Sequence, residues 1–121
     1  MDTITAQVQQ YMNDDARCFL DWYRAYRKLE GFPGEPVAAL PTLDEIREAF
    51  SEWVQLSRDR LFNLICVEWD YPARRKDEKF QEKVTLAVAL TEFLSGAFGI
   101  PSPATTAVLL VQVGLDEFCD S

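Results

Sequence analysis

Apolar residues recur every three or four positions along most of the chain, and glycine and proline cut this pattern into four stretches. In the first, over 3–30, Ile4, Val8, Tyr11, Met12, Phe19, Tyr23 and Tyr26 share helical spacing. As a single helix it would be roughly 40 Å long. The segment "GFPGEPVAALP", Gly31 to Pro41, ends it, because so much glycine and proline cannot continue a helix.

The second stretch, over 42–70, opens on "TLDE", in which Thr42 and Glu45 have the spacing of a capping box. Its core stripe is Ile46, Phe50, Trp53, Val54, Leu61, Leu64 and Ile65, and it should stop near Asp70, just ahead of Pro72. The third, over 77–98, starts on Asp77 as N-cap and carries Phe80, Val84, Ala87, Val88, Leu90, Phe93 and Leu94. The fourth, over 102–118, is announced by "PSPATT": Ser102 caps, and Pro103 takes the first helical position, where its missing N–H costs nothing.

No stretch alternates apolar and polar residues long enough to argue for a sheet. The pattern predicts an all-α, up-and-down four-helix bundle in one domain covering 1–121. A six-helix, death-fold-like globule is the alternative if the long first or second helix is broken.

Charge and composition then remove whole classes of function. The chain of 121 residues is 48% hydrophobic and 26% charged, ordinary for a globular protein, and its net charge is −8. An acidic chain repels phosphate backbones, so nucleic acid is not an expected partner. Histidine is absent, which removes Ser-His and Cys-His nucleophile pairs, His metal ligands and the usual near-neutral general base. Three cysteines at wide spacing suggest neither a disulfide framework nor a metal pattern. With a polar N-terminus and no signal-peptide pattern, they lead to the expectation of a cytoplasmic protein.

Four candidate chemistries each have a plainer reading. Glu45, Glu48 and Glu52 lie off the apolar stripe and read as a solvated face rather than a di-iron ligand set. Acids at Asp77 and Glu78 suit a helix N-terminus better than a nuclease centre. Cys18 and Cys66 sit among apolar neighbours, and Cys119 among acids that raise a thiol pKa, so none reads as a nucleophile. Between Leu86 and Leu115 the only charge is Glu92; each arm of this hairpin is shorter than a membrane span and reads as buried core, with membrane insertion as the alternative. No enzyme activity, cofactor or metal is expected.

The richest segment is "CVEWDYPARRKDEKF", Cys66 to Phe80. On a straight helical wheel Phe62, Cys66 and Trp69 follow Gln55 and Asp59, opposite the core stripe, so the second helix ends with apolar groups on two sides. Either the first helix or the loop carrying Phe32, Val37 and Leu40 covers this second face, or it is a contact surface. Trp, Tyr and Arg dominate interface energetics, which makes Phe62, Trp69, Tyr71, Arg74 and Arg75 the candidate interaction residues. Leu109 joins them. The fourth helix is apolar nearly all round, and three partner helices would leave the stripe containing Leu109 for a second copy of the chain or another protein. A homodimer is the first expectation, because symmetric dimers are the commonest assembly. The expected function is thus a non-enzymatic protein–protein interaction module, such as a helical adaptor, assembly subunit or inhibitor. The rivals are a small-ligand-binding bundle and a membrane-active hairpin.

Overall fold

The first apolar stretch does not form one helix. In the computed structural model, which describes residues 3–29 and 41–120, it divides into α1 (Thr3–Met12) and α2 (Asp15–Leu29). The break has a local cause. The Asp14 carboxylate accepts the backbone N–H of Arg17 at 3.1 Å, capping α2 and offering the chain an alternative to continuing α1.

The second stretch begins as expected. In α3 (Leu43–Leu56) the Thr42 hydroxyl accepts the Glu45 N–H at 3.2 Å, and the Glu45 carboxylate accepts the Thr42 N–H at 3.0 Å. At Ser57 the helix steps into α4 (Arg58–Phe62) and then a π-helical turn, Asn63–Glu68, in which the Trp69 N–H reaches back five residues to the Leu64 carbonyl. Asp70 then takes a left-handed conformation (φ 58°), reversing the chain into α5 (Tyr71–Arg74).

The third helix starts later than its pattern suggests. Asp77 does cap, but it caps a short 3-10 turn, Glu78–Gln81, and α6 runs over Lys83–Leu94. The fourth stretch gives α7 (Pro103–Val113), with Pro103 in its first turn. Ser102 stands at the N-cap without a capping side-chain bond; its carbonyl accepts the Thr106 N–H at 2.9 Å. Gly114, inside the fourth predicted helix, instead turns the chain (φ 117°) into α8 (Leu115–Asp120). A side chain there would be strained, which is why this corner falls on a glycine. The described residues are therefore all-helical, and the four apolar stretches resolve into shorter helices.

The core forms around α7, which packs against α1, α2, α6 and α8. From Ala104 to Val111 every residue of it is buried. Cys18 on α2 reaches the Thr105 carbonyl at 3.7 Å, and Gln112 reaches the Met12 sulfur of α1 at 3.6 Å. This corrects the expectation for Leu109, which is 1% exposed and enclosed by the chain itself. The broken first stretch supplies two partner helices where an unbroken one would supply one. Across α2 and α3 an aromatic cluster completes the core: Trp22 stacks on Tyr26 at 4.9 Å and meets Phe50 edge-on at 5.0 Å. Such pairs add roughly 0.5–1.5 kcal/mol beyond their area.

Candidate functional site

The corner at Trp69 is buried rather than presented. Trp69 is 4% exposed and Tyr71 5%. The Trp69 ring lies near Phe80 (6.4 Å) and Phe93 (6.0 Å), and Phe62 near Phe118 (6.4 Å). The second apolar face of the second stretch is therefore covered by α6, α8 and the turn between α5 and α6. Of the two expected covers, the first helix and the loop carrying Phe32, Val37 and Leu40, the loop lies outside the described residues. Arg74 is exposed at its surface, yet its guanidinium sits 4.9 Å over the Trp69 ring and its Nε donates to the Trp69 carbonyl. Arg75 pairs with Asp116 (3.1 Å) and Asp120 (3.3 Å) of α8. Of the six residues singled out by sequence, five thus build one corner, with Leu109 apart from them inside α7.

Tyr71 donates to the Asp116 carboxylate at 2.8 Å. Burial, with this bond to an anion, pushes the phenol up to about 12. The same bond, helped by Arg75, holds the Asp116 carboxyl below its ordinary value. Burial and a 2.7 Å bond to Asp21 likewise push Tyr11 up to about 12. Both phenols lie above the unfolded value near 10, so the stability they contribute is complete below about pH 10 and is lost as pH rises towards 12. The melting temperature should fall across that window, and less steeply in Tyr71→Phe, as thermal melts at stepped pH would show. An equally steep fall in the variant would remove Tyr71 as a contributor.

One expectation about the cysteines is overturned. Cys66, in the π-turn, and Cys119, in α8, form a disulfide, with Cα atoms 5.5 Å apart across a sequence separation of 53. Only Cys18 is free, and burial pushes its thiol up to about 12, which makes it a poor nucleophile. The disulfide, the Tyr71–Asp116 bond and the Arg75 pairs together fasten α8 to the corner.

What the corner builds is the wall of a groove. Between α2, α3, α7 and α8 lies a concavity of about 520 Å³. Its apolar lining comes from Phe19, Phe50, Val54, Leu110, Val113 and Phe118. Val113 is 66% exposed, an apolar side chain at the mouth rather than in the core. Along one wall Arg47, Ser51, Val54 and Arg58 recur at intervals of four, three and four residues, one face of the helical run through α3 and α4. The Arg47 guanidinium lies 5.4 Å over the Phe19 ring, and that of Arg58 lies 5.3 Å over Phe118. Sequence reasoning assigned Phe50 and Val54 to a core stripe and attached no role to either arginine. The legible signal was that four-residue stripe beside the core positions.

Glu45, Glu48 and Glu52 are all exposed. No group of three or more Cys, Asp or Glu side chains placed to hold a metal ion occurs among the described residues. No described helix is long and apolar enough to cross a membrane. No protein-family model matches the chain, and neither a curated protein nor a solved structure matches it.

Proposed function

We propose that this chain is a non-enzymatic protein-interaction module whose contact surface is the groove between α2, α3, α7 and α8. The observation that carries the reading is the groove itself: among the described residues, an apolar-lined concavity of about 520 Å³ with the exposed Val113 at its mouth. In this reading the helical arms form an up-and-down bundle that serves as a scaffold, and the corner at Trp69 sets the position of the α8 wall. A partner protein is the expected occupant, with a second copy of the chain as the alternative now that Leu109 no longer argues for one.

The test replaces Val54 and Val113 by glutamate, singly and together, in tagged protein recovered from its native source. Val113→Glu alters an exposed position and should change stability by within about 0.5 kcal/mol. The copurifying partner should be lost from both variants while the far-UV circular dichroism stays helical. A partner that binds the folded double variant as well as it binds the parent would remove the groove from consideration. A small-ligand reading has one observation in its favour, since 520 Å³ falls within the usual range for ligand pockets. Native mass spectrometry showing a stoichiometric bound small molecule would decide for it.

The compartment is a separate proposal. The cytoplasm was expected from a chain without disulfides; the Cys66–Cys119 bond suits an oxidising setting better. Alkylating thiols before lysis and counting those modified decides between the two.

A further inference from the structure

We propose that the Cys66–Cys119 bond is a redox latch on the groove: exchange with a dithiol reductant frees α8 alone and so takes away one wall. The proposal rests on the interaction reading above and goes further by naming how that surface is regulated. The two ends of the bond sit on unequal supports. Cys66 lies in the π-helical turn, close along the chain to Leu61, Ile65 and Trp69, all buried. Cys119 lies on α8, a helix of six residues that cannot persist alone. Gly114 joins α8 to α7, and a Cβ placed there would meet nothing within 4 Å. A glycine in open space is free to change conformation, so this corner can act as a hinge. The other fastenings of α8 include the packing of Leu115 and Phe118, the Arg58 guanidinium over the Phe118 ring, the Tyr71–Asp116 bond and the Arg75 pairs. The Arg75 pairs are made to exposed carboxylates, and such pairs contribute little. Release alters more than the groove. A second concavity, of about 330 Å³, takes Leu115 and Asp116 into its lining beside Tyr71 and Lys83.

Exposure sets the order of the chemistry. Cys66 is buried and Cys119 is partly exposed, so an incoming thiolate meets the Cys119 sulfur first. A bond forms between the reductant and Cys119, the Cys66–Cys119 bond breaks, and Cys66 leaves as a thiolate that takes a proton from water. The second thiol of the reductant, as its thiolate, then attacks the reductant's own sulfur in the mixed disulfide. The reductant closes into a cyclic disulfide and Cys119 leaves as a thiolate, protonated in turn. Two electrons have passed to the protein. A disulfide oxidant such as oxidised glutathione runs the exchange backwards. Cys18 stays out of it, buried against the Thr105 carbonyl at 3.7 Å.

The test begins on the parent chain with no partner present. Dithiothreitol is added without denaturant, and free thiols are then alkylated. Mass spectrometry should find Cys66 and Cys119 alkylated and Cys18 spared. In amide NMR spectra the signals of residues 115–120 should move to unstructured positions while those of α2 and α7 hold theirs. Oxidised glutathione should restore them. A limiting monothiol, cysteamine, should be trapped on Cys119. A bond that resists dithiothreitol, an adduct on Cys66, an α8 that stays in place after reduction, or the loss of α2 and α7 along with α8 each overturns the proposal. The partner recovered with the parent should bind the reduced chain at least about tenfold more weakly, and should protect the bond from reduction by the same factor, because such coupling is reciprocal. Cys66→Ser with Cys119→Ser should bind like the reduced chain and ignore dithiothreitol, which excludes an action of the reductant on the partner; alkylated parent serves if that variant does not fold. A partner indifferent to reduction but lost with Val54→Glu and Val113→Glu sinks the latch and keeps the interaction reading. A partner indifferent to those two variants sinks the reading, and with it the groove as the surface regulated.

Discussion

Leu109→Glu is expected to leave the chain unfolded rather than to split a dimer. Leu109 sits in the run of α7 where every residue from Ala104 to Val111 is buried, among α1, α2 and α6. A carboxylate placed there has no described basic partner on α7 and must give up water; the penalty is several kcal/mol even after relaxation. That rivals the whole stability of a domain, about 5–15 kcal/mol. Leu109→Ala, which leaves a cavity but no charge, should cost about 2–5 kcal/mol and still fold. Circular dichroism of the two variants and light scattering of the parent separate the cases. A folded, monomeric Leu109→Glu protein derived from a dimeric parent would place Leu109 at an interface after all.

Reduction of the Cys66–Cys119 bond is expected to cost about 4 kcal/mol and to lower the melting temperature by on the order of 10–15 °C. The magnitude follows from the separation of 53 residues: once the bond is gone, the unfolded chain regains the freedom that closing so long a loop removes. The loss should be uneven. As a helix of six residues α8 cannot persist alone, and without the bond it keeps only its packing, the Tyr71–Asp116 bond and the Arg75 pairs. Denaturant titration of Cys66→Ala with Cys119→Ala gives the total, and hydrogen exchange over residues 115–120 gives the local part. If exchange there stays as slow as in α7, the bond is not what holds the groove wall.

The helical class was legible because the apolar spacing is helical almost everywhere, and the capping box at Thr42 and Glu45 was readable to the residue. The breaks were harder. Asp14 carries a visible N-cap signal inside "MNDDAR", but the apolar period on either side of it runs on in phase and reads as one longer helix. The expectation for Leu109 follows from that, since an unbroken first helix leaves α7 a partner short. At the corner, what covers the second apolar face was not legible, for a geometric reason. A π-helical turn carries one extra residue, so side chains beyond it are displaced by about 100° from their place on a straight wheel. Nothing in the composition of "NLICVE" announces that turn. The disulfide was hidden for a related reason. Spacing along the sequence says little about distance once Gly114 has turned α8 back towards the π-turn. The groove was invisible because it is made by four helices whose order in space the apolar pattern does not record.

The bond between Cys66 and Cys119 also changes what kind of polymer this is. Covalently, the chain is a closed ring from 66 to 119, with the residues before Cys66 leaving it as a tail at one bridgehead and those after Cys119 at the other. A protease that cuts once inside the ring, for example in the connection between α6 and α7, does not release a fragment. The two pieces stay one molecule until a thiol reductant opens the second link, and the helices on either side of the cut remain tethered where they were packed. A cut in that connection therefore nicks the molecule without dividing it, whereas a cut before Cys66 severs the covalent link to whatever lies before it.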